Sequence, residues 1–164
     1  GSGYAWCAAF VYWCYDEVSK SSGKNNPVYK TAGVMSHWNN TKGKKITSAA
    51  AVANPSLIKP GQVFIMSYGG GLGHTGIVES VNGGYLTTIE GNTNEGGSRE
   101  GIGVFRETTF ACEVKVGFTT SPVGSPLPTV KIHPCVKTIS SRAINTFLKV
   151  DMITRSEALP QAPD

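Results

Sequence analysis

The sequence predicts an α+β fold in which helices come first and an antiparallel β-sheet follows. Two observations carry this. Apolar residues near the start recur at helical spacing, with Cys7, Phe10, Val11, Cys14 and Val18 forming one stripe. From Val63 onward the period shortens to that of strands, and the strand-like segments are separated by glycine-rich turns. Helices followed by a run of strands give the α+β class.

Taken in order, residues 5–19 read as a helix, ended by Ser21, Ser22 and Gly23. Asn26 followed by Pro27 has the form of an N-cap with a first-turn proline and opens a second helix to about Asn39. Residues 40–60 read as a loop with a short alanine-rich turn from Ser48 to Ala53, closed by Lys59-Pro60-Gly61. Val63 to Met66 suits a buried strand. The turn from Tyr68 to Gly73 leads into a strand from His74 to Val81, and Asn82-Gly83-Gly84 is a hairpin turn before the return strand from Tyr85 to Glu90. A second glycine-rich loop, Gly91 to Gly103, precedes strands at Val104–Arg106 and Val114–Phe118. These elements make one domain over residues 1–120. Residues 121–128, rich in Pro, Ser and Gly, read as a linker. Residues 129–164 form an extension with a strand from Val130 to Ile139, a short helix from Ser140 or Ser141 to about Val150, and a disordered end from Leu159.

Composition narrows the function. With 40% hydrophobic and 16% charged residues among 164, the chain is not of the disordered class. A net charge of +4 is too small to imply nucleic-acid binding, and Lys42-Gly43-Lys44-Lys45 reads as a solvated turn. A mild positive balance suits an anionic polymer without selecting one. No apolar run approaches the roughly 18–20 residues of a membrane helix. Four cysteines at irregular spacing and three histidines (His37, His74, His133) make no metal-site pattern, so neither a metal nor another cofactor is expected. Cys14 and the Trp6/Trp13 pair read as packing residues, Trp6 also as a candidate wall of a cleft. His37 reads as a surface residue, and a bridge between Cys112 and Cys135 is left open.

The chemistry centres on Cys7. It stands in the first turn of the leading helix, where unpaired N–H groups and the helix dipole favour a thiolate. His74 begins a strand among glycines 69, 70, 71, 73 and 76, which leave room around an imidazole. His74, Gly76 and Val78 share a face, because side chains alternate. If the hairpin turn is centred on Asn82 or Gly83, the residue opposite His74 is Glu90 or Asn92, with Cβ atoms about 4.5–5.5 Å away. Either can then orient the ring, and a slip of one residue would put both on the wrong side. Cysteine, histidine and an acid or amide form the set needed for nucleophilic acyl transfer. The Cys7 N–H and a polar group just upstream, Tyr4, are candidate donors to an oxyanion.

Tyr4-Ala5-Trp6-Cys7-Ala8-Ala9-Phe10-Val11-Tyr12-Trp13 resembles the nucleophile helix of the CHAP family, the cysteine- and histidine-dependent amidohydrolases/peptidases. Gly73-His74-Thr75-Gly76-Ile77-Val78-Glu79 resembles that family's histidine strand, and Ile89-Glu90-Gly91-Asn92-Thr93-Asn94 its acid/amide segment. Lys59-Pro60-Gly61-Gln62-Val63-Phe64 looks like its Pro-Gly-Asp turn, with Gln62 where an Asp is common. The likeness spans about residues 4–118. It implies a papain-like fold and cleavage of an amide bond in peptidoglycan, within the stem peptide or at the sugar–peptide link. By the same likeness Cys7 is the nucleophile, His74 the base, and Glu90 with Asn92 the orienting groups. A secreted or periplasmic setting follows, with no export route visible in the chain. Two other readings stand beside it: an interbacterial toxin with the same chemistry and an immunity partner, and a wall-binding module without turnover.

Overall fold

A computed structural model describes residues 5–93, 103–122, 128–132 and 150–154, the last two segments by backbone only. The first helix, α1 (Cys7–Ser21), buries Cys7, Phe10, Val11, Cys14 and Val18, the stripe expected of it, together with Ala8, Tyr15 and Ser19. It ends at Gly23, whose φ of 64° is the left-handed conformation that a glycine C-terminus takes at no steric cost.

The second helix is shorter than its sequence signals suggest: α2 spans Val34–Asn40, not 27–39. The Asn26 side chain is turned to other partners. Its carbonyl accepts from the Val28 N–H at 2.9 Å, and its amide donates to the Tyr12 carbonyl at 3.0 Å. Asn26 thus closes a local turn and ties it to α1, and the helix starts only after Gly33, whose backbone is extended. The segment read as loop then holds a short strand β1 (Lys45–Thr47) and the alanine-rich turn, helix α3 (Ser48–Ala53), capped by the Thr47 hydroxyl.

The strands that follow are β2 (Val63–Gly69), β3 (Leu72–Asn82), β4 (Tyr85–Thr93), β5 (Gly103–Phe110) and β6 (Gly117–Thr119). With β1 they form one six-stranded antiparallel sheet in the order β1-β6-β2-β3-β4-β5. The fold class is α+β. One face of the sheet (Val63, Ile65, Ile77, Ile89, Val104) packs under α1, and the other (Phe64, Val78, Leu86, Phe118) packs with Ile46, Ala51 and Ala111. The glycine turn before His74 is tighter than expected: β2 and β3 run on until Gly69 pairs with Leu72. Past residue 120, strands β7 (Pro128–Ile132) and β8 (Val150–Thr154) pair with each other. Pro128 therefore belongs to a strand, as does Val150, read from sequence as a helix end. The rest of the supposed helix, residues 133–139 of the predicted strand, most of the linker and the C-terminal end lie outside the described residues.

Candidate active site

Two close approaches bring the site together. Helix α1 can lie against β4 because position 91 is glycine: a Cβ there would stand 2.6 Å from the Phe10 Cβ and 2.7 Å from the Trp6 ring. On β3, Gly76 does the same for the acid, since a Cβ would stand 2.7 Å from the Ile89 carbonyl and from the Phe64 ring, and 3.0 Å from the Glu90 Cγ. Glycine is the residue that lets backbone and side chains meet so closely.

The hairpin β3–β4 sets which residues share a face. Its turn is Gly83-Gly84, with Asn82 paired to Tyr85, Val81 to Leu86 and Ser80 to Thr87. That register, continued, would place His74 and Glu90 on opposite faces. It does not continue. A β-bulge lies between Val78 and Ser80, after which Val78 pairs with Thr88 and Ile77 with Ile89. The turn lies half a residue beyond Gly83, the later of the two centres expected from sequence, and the bulge at Glu79 restores the parity that the turn would have broken. His74, Thr88 and Glu90 accordingly stand on one face.

The side chains meet there. His74 Nε2 lies 2.8 Å from Glu90 Oε2, and the Thr88 hydroxyl donates to Glu90 Oε1 at 2.6 Å. A carboxylate only accepts, so the ring carries its proton on Nε2 and turns Nδ1 the other way. Nδ1 is buried without a hydrogen-bond partner of its own, and Cys7 lies beside the ring. Cys7, His74 and Glu90 are 1%, 3% and 5% exposed, so their charges interact with little solvent screening. Burial opposes a charge on the imidazole, yet Cys7 and Glu90 on either side outweigh it and hold the His74 pKa up to about 9. Cys14, by contrast, is pushed far up by burial and then by Glu17, and stays a thiol.

The Cys7 backbone belongs to the open start of α1. The first bond of the helical ladder runs from the Phe10 N–H to the Trp6 carbonyl at 2.9 Å, so the amides of Cys7, Ala8 and Ala9 precede it. Trp6 packs edge-on to Phe10 with ring centroids 6.4 Å apart. Asn92 is buried at the next irregularity, a bulge between Gly91 and Thr93 of β4, with a φ of 61° that Asn tolerates better than most residues. Tyr4 lies outside the described residues. Thr88 was not singled out from sequence; its signal was its place two residues before Glu90 on the same strand face.

Gln62, in the place of the expected Asp, holds its turn by accepting from the Lys59 N–H at 3.0 Å and donating to the Leu57 carbonyl at 3.1 Å. His37, read as a surface residue, is buried on α2: its Nε2 lies 3.3 Å from the Thr119 hydroxyl, and burial lowers its pKa to about 4. Among the described residues no group of histidine, cysteine or carboxylate side chains could hold a metal ion, and no helix is long and apolar enough to cross a membrane.

The model of the CHAP domain matches residues 1–92, more than half of the chain. The chain belongs to the CHAP family. That stretch takes in α1, the histidine strand and the Glu90 strand. No curated protein and no solved structure matches the chain. CHAP domains are generally amidase or peptidase domains that act on peptidoglycan, and they usually occur in extracellular proteins.

Proposed function

We propose that this CHAP domain hydrolyses an amide bond of peptidoglycan with Cys7 as nucleophile, His74 as acid and base, and Glu90 as the group that orients and charges the imidazole. The observation that carries the reading is the two-sided environment of His74. Glu90 accepts a hydrogen bond from the Nε2 N–H at 2.8 Å, while Cys7 lies beside the ring from α1. At neutral pH, below a His74 pKa of about 9, the ring is held as an imidazolium, the partner a thiolate needs.

In the first half-reaction the Cys7 sulfur attacks the amide carbon and the C=O electrons move to oxygen. The Cys7 N–H, at the open end of α1, donates to that oxyanion. Collapse expels the amine, which takes the proton from the imidazolium, and leaves a thioester. The neutral imidazole then removes a proton from water, whose oxygen attacks the thioester. Collapse restores thiolate and imidazolium and frees the product as a carboxylic acid, which gives its proton to solvent. Glu90, with one oxygen on His74 and the other accepting from Thr88, remains ionised throughout and stabilises each imidazolium.

The test is hydrolysis of purified sacculi. Cys7→Ala is expected to abolish release of muropeptides while its circular dichroism shows the fold intact; lysis retained by that variant removes Cys7 from the mechanism. Mass spectrometry of the wild-type digest assigns the bond. Glycan freed of whole stem peptides means an amidase, and shortened or uncrosslinked peptides mean an endopeptidase.

A further inference from the structure

The bulge in β3 is a single extra residue, Glu79, and its side chain is gripped. Arg106 donates to both carboxylate oxygens, Nε to Oε2 at 2.7 Å and a terminal nitrogen to Oε1 at 2.8 Å. Arg106 stands on β5 directly across from Ile89 of β4, which in turn pairs with Ile77 of β3. The ion pair therefore reaches over β4 and joins the bulge to the strand beyond it. The consequence of the bulge shows in the core. Val78 and Val81, three positions apart, both pack on the sheet face away from α1, whereas Ile77 packs under α1. Uninterrupted alternation would send Ile77 and Val81 to the same face. With the turn at Gly83-Gly84 and Leu86 in the lower core, removing the extra residue turns His74 away from Glu90.

We propose that Glu79 and Arg106 are positioning residues of the active site, their two-pronged ion pair holding the bulge between the hairpin turn and His74 so that Glu90 meets the imidazole. Neither residue touches the reacting atoms. The inference rests on the reading of Glu90 as the orienting group. A half-exposed ion pair adds little to global stability, so its loss acts on register more than on melting. The two-pronged geometry fixes direction as well as distance, which a single contact would not.

The experiment follows the His74 ring by NMR titration alongside kinetics on purified sacculi. In Glu79→Ala and in Arg106→Ala the His74 pKa is expected to fall from about 9 toward its ordinary 6.5. In the same variants kcat should drop by about tenfold to a hundredfold with KM unchanged. The charge-exchanged pair, Glu79→Arg with Arg106→Glu, is expected to recover both readouts. Deleting Glu79 should move them further than Glu79→Ala does. If Glu79→Ala leaves the titration and kcat at wild-type values while Glu90→Gln changes them, the positioning role is overturned and the role of Glu90 stands. If Glu90→Gln also changes neither, the reading of Glu90 falls, and this inference with it.

Discussion

Cys7 and Cys14 lie two helical turns apart on the same buried stripe of α1, and both are almost fully excluded from solvent. What separates them is the partner. Cys14 has the apolar core around it and Glu17 on its own helix, both of which disfavour a thiolate. Cys7 stands at the helix start beside an imidazole whose charge burial opposes and Cys7 and Glu90 together favour. The Glu90 carboxylate is thus the residue whose chemistry is most exposed to test. Glu90→Gln preserves shape but removes the charge, and its amide can present a donor where the ring needs an acceptor. A loss in kcat on the order of 10²–10⁴ is expected by analogy with dissected triads. The His74 pKa should fall in parallel, narrowing the alkaline side of the kcat profile; a pH–rate series on sacculi checks both. Thr88→Val leaves one buried carboxylate oxygen without its donor. It is expected to cost about 1–3 kcal/mol of stability, read from urea midpoints, together with a smaller loss of kcat.

At the scale of elements, the site depends on how closely α1 lies on β4. Gly91→Ala would drive a Cβ into Phe10 at 2.6 Å, and Phe10 cannot yield at its own Cβ without moving the helix. The expected result is a loss of about 1–3 kcal/mol, with kcat falling up to about a hundredfold as Cys7 shifts from His74. Melting temperature and kcat measured on one preparation decide it. Such glycines also mark what the sequence can and cannot disclose. Helix α1 was legible because its apolar spacing repeats over fifteen residues, and the β3–β4 hairpin because Gly83-Gly84 breaks two alternating runs. Strand parity suggested His74 with Glu90 or Asn92 only for a turn centred on Asn82 or Gly83; the turn at Gly83-Gly84 breaks that parity, and the bulge restores it. The bulge at Glu79 was not legible, since one inserted residue leaves no composition of its own and shows only as a change of face between Ile77 and Val81. The start of α2 was misread because Asn26 before Pro27 serves equally for an N-cap and for a local turn, and the tertiary bond to Tyr12 decides between them. Short β1 was missed for a different reason: three residues, one of them buried, carry too little periodicity to read.

For the whole molecule, two buried histidines pull the stability in opposite directions along the pH axis. His37 is held neutral by burial between α2 and β6, with its Nδ1 lacking a partner and a pKa lowered from 6.5 to about 4. The unfolded chain takes up that proton first. The contribution of His37 is therefore complete above pH 6.5 and is lost as pH falls toward 4, by on the order of 3 kcal/mol in all. His74 has the reverse sign: with its folded pKa raised to about 9, its contribution is complete below pH 6.5 and is lost as pH rises through 9. The stability curve should thus peak near pH 6.5 and fall on both sides, with a different histidine responsible for each limb. Urea midpoints from pH 4 to pH 9.5 test this directly. His37→Gln is expected to flatten the acid limb while leaving the alkaline one unchanged, and Glu90→Gln to flatten the alkaline limb alone. An acid limb that persists unaltered in His37→Gln would assign it to the carboxylates of the fold, of which Asp16, held below the usual range by Lys20, and Glu113, held there by the Phe110 N–H and the Thr109 hydroxyl, are the first to examine.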